Sequence, residues 1–427
     1  MADTIFALSS GSPPAGIGVI RISGPQASVA LRDLAGRVPE PRRASLAQLR
    51  DPVGHLLDQA MILWLPGPGT VTGEDIAEIH CHGGRAVVAA IETALAGFPK
   101  LRRATPGEFT RRAFANGRID LAEAEGLADL LSAETELQRR SAIAMAGGAF
   151  SRSVEAWRER LLQLSAAVEA ELDFSDEADV PETGSRIQQG IAELGEEIGE
   201  SLAKPSAEVL KDGFRVVIAG PPNAGKSTLF NALVESEAAI TSQYAGTTRD
   251  VITRAVAIEA VPFLFVDTAG LRDETSDPIE KIGISRAEEE LKAADLVLWL
   301  GVEGAGPPGA WEIEAQADRP DQVVKQQPRH RLSAVTGAGM DALRRDLLEQ
   351  ASAALPKPGE AALNRRQREL LFGAMSAMVD AQGAASGDLL VLAENLRLAR
   401  IAFDRLIGRS ATEDVLDTLF GRFCIGK

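Results

Sequence analysis

The chain has 427 residues, of which 45% are hydrophobic and 25% charged, and its formal net charge is −16. This composition is that of a folded protein of about three domains, which excludes a collagen repeat, a coiled-coil rod and a wholly disordered chain. The acidic total also excludes a protein that coats nucleic acid over its whole surface, although a local basic patch remains compatible with it.

The two cysteines, Cys81 and Cys424, are too few for a disulfide framework and favour a reducing compartment. The first ten residues lack the basic and apolar regions of a secretion signal, and no uncharged apolar stretch reaches 18 residues. We therefore expect a cytoplasmic protein without membrane contact.

The first 118 residues predict an α/β domain. Residues 18–23 and 60–65 are apolar runs typical of strands, and residues 86–96 have helical periodicity. From residue 119 to residue 210 the chain becomes rich in Ala, Leu, Glu and Arg with apolar residues three and four apart, which predicts amphipathic helices interrupted by an acidic loop at 173–184.

Residues 211–355 alternate between apolar strands, Gly-rich turns and helices. Apart from Arg215, the runs at 215–219, 261–266 and 296–300 are continuously apolar, as expected of strands that are buried on both faces of a mainly parallel sheet. Residues 356–427 are again helical. The sequence therefore predicts an α/β domain inserted into a discontinuous all-α domain.

The segment Gly220–Ser227 fits the pattern G-x-x-x-x-G-K-[ST] and lies between a predicted strand and a predicted helix over 228–235. Its glycines allow the backbone N–H groups to wrap phosphates, with Lys226 at the β- and γ-phosphates and Ser227 on Mg²⁺. An ordinary Gly-rich turn is the alternative, which the strand and helix on either side disfavour.

Three further segments are typical of a guanine-nucleotide domain. Asp267–Gly270 has the D-x-x-G pattern that meets Mg²⁺ and the γ-phosphate, and Thr248 within 246–250 can complete the Mg²⁺ coordination. The segment 333–337 suits a loop that contacts the base. Each pattern is weak alone, but their order and spacing predict a Ras-like P-loop domain.

One expected motif, Asn-Lys-x-Asp, is missing. We looked for it in residues 323–329, where Lys325 is followed by Gln326 and Gln327 and by no aspartate. Without that carboxylate we expect GTP to bind with weaker selectivity over ATP and inosine triphosphate. The alternative is that Asp318 or Asp321 supplies the carboxylate.

With these motifs, the segments 18–24, 106–125 and the terminal Phe423-Cys-Ile-Gly-Lys427 complete a pattern that resembles the MnmE (TrmE) family of tRNA-modification GTPases over the whole chain. The resemblance implies an N-terminal folate-binding and dimerisation domain at 1–118, a helical domain at 119–210 and 356–427, and a G domain at 211–355. It also implies a homodimer that assembles with the flavoprotein MnmG. The pair would add an aminomethyl or carboxymethylaminomethyl group to carbon 5 of the wobble uridine of certain tRNAs.

The resemblance also assigns site residues. A 5-formyl-tetrahydrofolate or related one-carbon folate would contact Arg21, Glu78, Arg118 and Lys427. The K⁺ that replaces an arginine finger would bind Asn223, Ser242, Tyr244 and Thr247, and Glu280 would orient the attacking water. The implied GTP-binding residues are Asn223, Ala224, Gly225, Lys226, Ser227, Thr228, Ser242, Gln243, Tyr244, Ala245, Gly246, Thr247, Thr248, Asp267, Thr268, Ala269, Gly270, Ser333, Ala334 and Val335.

Several residues have a second interpretation. Arg21, Glu78 and Glu280 can be ordinary surface charges, and Cys424, which the resemblance places near the folate, can be a small core residue. His80-Cys81-His82 invites a zinc hypothesis, which its spacing disfavours.

Two other functions compete with the leading one. A ribosome-assembly switch of the Era type would need an RNA-binding module that we do not find, and a folate-binding scaffold with a decayed G domain is disfavoured by the intact phosphate-loop motif. For tRNA contact the sequence offers two basic clusters. They are Arg102, Arg103, Arg111 and Arg112, and Arg365, Arg366 and Arg368.

Overall fold

The computed structural model describes residues 3–173, 181–235, 238–239, 252–268, 289–319, 324–384 and 388–427. Several of the predicted site residues lie outside the described residues. They are Ser242, Gln243, Tyr244, Ala245, Gly246, Thr247, Thr248, Ala269, Gly270, Glu280 and Asp321. The chain divides into two compact units, one formed by residues 1–128 with 404–427 and the other by residues 129–403. These units group the chain differently from the four predicted segments, whose boundaries stay a prediction.

The first unit is built on a six-stranded sheet with the strand order β3-β4-β5-β2-β1-β6. Its strands are β1 (Thr4–Leu8), β2 (Ile17–Ser23), β3 (Ser45–Arg50), β4 (Leu56–Leu65), β5 (Ile76–His82) and β6 (Leu101–Arg103). Its helices are α1 (Ala27–Ala35), α2 (Arg85–Ala96), α3 (Glu108–Ala115), the start of α4 (Leu121–Ser132) and α13 (Glu413–Phe420). The strands predicted at 18–23 and 60–65 and the helix predicted at 86–96 are confirmed.

The two faces of this sheet bury different side chains because strand residues alternate. On one face, Ile20, Ile62 and Ile79 join helices α1 and α2 in a closed apolar core. On the other face a small cluster that includes Ile5 and Phe109 covers only the β1 side. The part of that face on β2 and β5 therefore stays partly open, and it carries Arg21, Glu78 and His80.

The second unit contains the other sheet, of seven strands, with the order β13-β12-β11-β7-β10-β9-β8. The strands are β7 (Phe214–Ala219), β8 (Ala238–Ala239), β9 (Ile252–Ile258), β10 (Val261–Asp267), β11 (Leu296–Trp299), β12 (Trp311–Glu314) and β13 (His330–Arg331). Strands β10, β7, β11, β12 and β13 run parallel, whereas β9 is antiparallel to β10 and to β8. The predicted mainly parallel sheet and its three apolar strands are confirmed.

Helices α9 (Lys226–Glu235) and α10 (Met340–Ala354) pack into the core of this sheet through residues such as Leu229, Phe230 and Leu343. The connection from β11 to β12, residues 300–310, contains no helix. The remaining helices of the unit are α5 (Glu136–Ala146), α6 (Ala149–Asp173), α7 (Pro181–Ala203), α8 (Ala207–Asp212), α11 (Arg365–Ala384) and α12 (Leu389–Leu406), whose last residues belong to the first unit.

Candidate functional site

The phosphate-binding loop joins the carboxyl end of β7 to the start of α9. Asn223 and Gly225 of this loop have left-handed backbone conformations, with φ of 62° and 90°. A Cβ atom at Gly225 would lie 3.1 Å from Cγ of Gln316, so the loop is closely packed there. Because α9 begins at Lys226, the loop ends on the positive end of the helix dipole, which suits an anionic ligand.

Lys226 is the predicted phosphate ligand, and its side chain is buried at 7% exposure. Its Nζ donates a hydrogen bond of 2.8 Å to the backbone oxygen of Pro221, which holds the ammonium group over the loop. An ammonium group at this position can meet the phosphates that the loop N–H groups bind.

Asp267 is the last residue of β10, and it pairs in register with Ile218 of the neighbouring strand β7. It is 1% exposed, and the next residue, Thr268, donates from Oγ1 to the Ile218 oxygen at 2.9 Å. The Ser227 hydroxyl follows Lys226 in the first turn of α9. Hydroxyl and carboxylate oxygens are the ligands that Mg²⁺ prefers, so these two residues fit the predicted ion.

Ser333 lies in the predicted base-contacting loop just after β13, and it is 1% exposed. Its Oγ accepts a hydrogen bond of 3.1 Å from the backbone N–H of Thr336, and Ser333 also hydrogen-bonds to the Asp318 carboxylate. Val335 in the same loop is 74% exposed. The loop is therefore folded around the Ser333 hydroxyl, with Asp318 beside it.

The structure corrects where the base-recognising carboxylate is expected. Strands β12 and β13 are parallel, so the carboxyl end of β12 lies beside the base-contacting loop. The residues that follow β12 are Ala315-Gln316-Ala317-Asp318. Residues 323–329 were the wrong place to look for the motif, because they precede β13 instead of following β12.

Two observations support this assignment. The Gln316 Nε2 donates to the backbone oxygen of Asn223 at 3.2 Å, which ties the segment to the phosphate loop. Lys325 is buried at 4% exposure, where its Nζ donates to the backbone oxygen of Trp299 at 2.8 Å and pairs with Glu312. Lys325 therefore holds strands together, and Asp318 is the aspartate that lies next to the loop.

The partly open face of the first unit brings Arg21 and Glu78 together, since they are paired in register on β2 and β5. Oε1 of Glu78 accepts from Nε of Arg21 at 3.0 Å, and Oε2 lies 3.2 Å from Nε2 of His80. The Arg21 guanidinium also lies over the Phe109 ring at 5.9 Å. These groups combine charge and hydrogen-bonding atoms, which suits a polar ring with an anionic tail. The Phe109 ring itself is buried at 2% exposure.

The last residues of the chain pack beside the start of α3. The N–H of Phe109 donates to the backbone oxygen of Lys427 at 3.2 Å, and Gly426 fits against Leu8 with a φ of 95°. Cys424 is exposed. Arg118 lies beside Gly73, and among the described hydrogen bonds neither Arg118 nor Lys427 contacts Arg21 or Glu78.

The zinc hypothesis fails on geometry. His80 turns toward Glu78, the Cys81 Sγ is buried 3.4 Å from the Gly18 oxygen, and His82 pairs with Asp58 at 2.8 Å. The part of the chain that the structure describes contains no group of three or more His, Cys, Asp or Glu side chains that could share a metal ion.

The basic clusters predicted for tRNA are bonded within the protein. Carboxylates neutralise the first cluster, through the pairs Arg102–Glu108, Arg103–Glu92, Arg111–Asp417 and Arg112–Glu74. In the second cluster, Arg365 pairs with Glu369, and Arg368 caps α7 by donating to the oxygens of Leu202 and Lys204. The first cluster therefore presents no row of uncompensated charges, whereas Arg368 of the second cluster is fixed by carbonyl groups that leave its charge in place.

Comparison with known proteins agrees with this arrangement. A family model described as the GTP-binding protein TrmE N-terminus matches residues 4–118, and one for the MnmE helical domain matches residues 121–424. A protein of Novosphingobium aromaticivorans named tRNA modification GTPase MnmE is 63% identical, with both chains covered completely. The chain belongs to the MnmE (TrmE) family.

Another full-length relative of the same name, from Erythrobacter litoralis, is 61% identical over 100% of both chains. As a member of this family the chain is a GTPase. Among solved structures, the G domain of the T. maritima FeoB iron transporter is 23% identical, with a TM-score of 0.24 over 32% of this chain and 98% of that one. None of the described helices has the length and apolarity needed to cross a membrane.

Two candidate site residues, Asp318 and His80, were not leading predictions from the sequence. Asp318 was only an alternative, because the residues before it do not match the Asn-Lys-x-Asp motif. His80 was considered only as a zinc ligand, although its position two residues after Glu78 on a strand places both on one face. That alternation was the available signal.

Proposed function

We propose that the chain hydrolyses GTP in a K⁺-stimulated reaction and uses it, with the flavoprotein MnmG, to modify carbon 5 of the wobble uridine of certain tRNAs with an aminomethyl or carboxymethylaminomethyl group. The observation that carries the proposal is the phosphate loop after β7, with Lys226 held over it and with Asp318 at the carboxyl end of β12 in the same sheet. Full-length relatives that are named for GTP hydrolysis and tRNA modification supply the substrate classes.

In the proposed reaction each described residue has one task. Loop N–H groups and Lys226 bind the β- and γ-phosphates, and Ser227 with Asp267 holds the hydrated Mg²⁺. Asp318 accepts hydrogen bonds from the guanine N–H groups, and Gln316 keeps its segment attached to the loop. Mg²⁺ supplies neutralisation of phosphate charge.

The K⁺ site is proposed at Asn223, a residue of the phosphate loop with a left-handed backbone conformation. Ser242, Tyr244 and Thr247 would complete it, with Thr248 on Mg²⁺ and Glu280 orienting water, and these five residues stay predictions outside the described part of the chain. A cation at this place offsets charge that develops during phosphoryl transfer.

The partly open sheet face of the first unit is proposed to bind the one-carbon folate. Arg21 and Glu78 support this assignment by their contacts, and Arg118 and Lys427 stay predicted ligands. Cys424 is proposed to act beside the folate, since its thiol is exposed. The homodimer, the assembly with MnmG and a cytoplasmic location alongside tRNA are proposals that sedimentation and fractionation can test.

Phosphate release in K⁺ and in Na⁺ tests the GTPase proposal. Hydrolysis should be faster in K⁺, Asn223→Ala should remove the difference, and Glu280→Ala should lower kcat by about 100-fold with little change in GTP affinity. Equal turnover in the two salts would overturn the K⁺ site. Mass analysis of wobble uridines in a deletion strain tests the tRNA reaction. If the strain lacks the wobble modification but assembles ribosomes normally, the protein acts in tRNA modification and not as a ribosome-assembly switch.

A further inference from the structure

Strand β3 is an edge of the first sheet, and three arginines lie along it. Arg50 ends the strand, Arg37 reaches the second strand residue, Leu46, and Arg42 precedes the strand by three residues. We call Arg37, Arg42 and Arg50 the edge arginines. All three are exposed. Residues 32–50 contain five arginines and two acidic residues in a chain whose net charge is −16.

The edge arginines differ from the arginine cluster near α3 in what they bond. Arg37 donates to the backbone oxygen of Leu46 at 3.0 Å, Arg42 to that of Gly69 at 2.8 Å, and Arg50 to that of Gly54 at 2.9 Å. A carbonyl group fixes a guanidinium in place without cancelling its charge. Each guanidinium has five N–H donors, so most of them stay available to an anion.

The position of these charges suits an extended polyanion. The stretch from Leu46 to Arg50 is about 13 Å long at roughly 3.3 Å per strand residue. An open cavity of about 430 Å³ lies between the end of α1 and β3, and its lining includes Arg37, Gln48 and Arg50. Asp33 lines the same cavity and reduces its positive charge.

We propose that the β3 edge binds the phosphate backbone of tRNA through the edge arginines. The proposal rests on the proposed function, because it names the surface that holds the RNA substrate. Phosphate oxygens accept paired hydrogen bonds from the planar guanidinium fork, and such contacts position RNA without reading its sequence. The carboxylate-paired arginines 102, 103, 111 and 112 are not the main tRNA contacts in this proposal.

The test is the salt dependence of tRNA binding to the full chain. In Arg37→Gln/Arg50→Gln, affinity at moderate salt should fall about 10-fold, and the slope of log K against log[salt] should decrease by about 1 to 2. Asp33→Asn should tighten binding by about two- to three-fold, since it removes a negative charge from the cavity. If the arginine substitutions weakened tRNA binding only by disturbing the fold, Asp33→Asn would not be expected to increase the affinity for tRNA.

The matched control is Arg139→Gln/Arg397→Gln, which removes two exposed arginines that are paired with Glu136 and Glu394. It should leave the slope unchanged, and GTP hydrolysis should be the same in all variants. If Arg37→Gln/Arg50→Gln binds tRNA with the affinity and salt dependence of the wild type, this inference is overturned but the proposed function is not. A wild-type chain that binds no tRNA, with or without MnmG, would overturn the proposed function as well. Loss of binding to anionic lipid vesicles with unchanged tRNA binding would reassign the edge to a membrane surface.

Discussion

Ser333 and Asp318, from the two loops that follow neighbouring parallel strands, share a side-chain hydrogen bond. The bond from the Ser333 hydroxyl lowers the pKa of Asp318, so the carboxylate is ionised at neutral pH. Because Ser333 Oγ also accepts from the Thr336 N–H, its hydrogen is directed at Asp318. A charged acceptor is thus held at the end of the sheet where the proposed guanine would offer two N–H donors.

We therefore expect guanine selectivity to be retained in spite of the missing motif. Asp318→Asn should weaken GTP binding by about 10- to 100-fold, because a charge-assisted hydrogen bond is worth about 1.5–3 kcal/mol. The same variant should gain affinity for xanthosine triphosphate, whose C2 oxygen accepts from the new amide. Competition binding with GTP, ATP, inosine and xanthosine triphosphates measures this. Selectivity that survives in the variant would assign the role to Asp321.

Acid should destabilise the first unit through Glu108. Burial raises the pKa of its carboxyl, but hydrogen bonds from Arg102, the Thr105 backbone and Arg112 outweigh burial and lower the pKa to about 2. A lowered pKa contributes stability that is present above the ordinary value of 4.5 and is lost as the pH falls toward 2. We expect the free energy of unfolding to decrease by about 2 kcal/mol across this range.

Glu108→Gln should lose a similar stability at pH 7 and show a flatter decrease in acid. Denaturant unfolding at several pH values measures both effects. Glu92→Gln, which removes a carboxylate paired with the more exposed Arg103, is the matched control and should keep the acid dependence. An unchanged acid limb in Glu108→Gln would place the acid-sensitive group elsewhere.

His80 should act on the folate by positioning Glu78. The two Glu78 oxygens are bonded separately, one to Arg21 and one to His80, so the plane of the carboxylate is fixed from both sides. His80→Ala should weaken binding of 5-formyl-tetrahydrofolate by about fivefold, and His80→Gln should restore much of it through an amide donor. Calorimetric titration measures the affinities.

A double-mutant cycle separates positioning from direct contact. In a Glu78→Gln background, His80→Ala should have little further effect, which corresponds to a coupling of about 1 kcal/mol. Additive losses would mean that His80 contacts the folate itself. His82→Gln is the control, because His82 is exposed and bonds to Asp58.

Gly426→Ala should displace the end of the chain. The residue has a φ of 95°, and a Cβ atom would lie 2.1 Å from the Leu8 backbone oxygen, which the backbone cannot accommodate without a shift. Limited proteolysis should then cleave the tail faster, and folate affinity should fall while GTP hydrolysis by the second unit continues. Gly117→Ala is a matched control with a φ of 65° and open space around the added methyl. Equal proteolysis of both variants would show that backbone strain alone accounts for the effect.

The sequence predicted those elements whose residues are buried in a regular pattern. The strands at 215–219 and 261–266 were recognisable because both of their faces are covered, which leaves continuous apolar runs. The short strands β6 and β13 have three and two residues, too few to show a pattern. The resemblance supplied the residues of the proposed folate site, and the structure shows that His80 contacts one of them, Glu78.

The sequence could offer Asp318 only as one of two alternatives, because its proposed role depends on strand register. Only the parallel pairing of β12 with β13 shows that residues 315–318 lie beside Ser333. The contact of Gly426 with Leu8 joins residues at opposite ends of the chain, and no local pattern encodes it. Arginine clusters also mislead in sequence, since the carboxylates that neutralise Arg111 are about 300 residues away.

The division of the first unit between both ends of the chain sets an order for folding during synthesis. Leu121 and Ala124 share an apolar cluster with Leu416, Leu419 and Phe420, which the ribosome makes roughly 290 residues later than Ala128. At about 5–20 residues per second, this separation lasts about 15–60 s. The second unit can thus fold first. Until α13 has been synthesised, the apolar side chains of Leu121 and Ala124 lack their packing partners in this cluster and can be bound by chaperones.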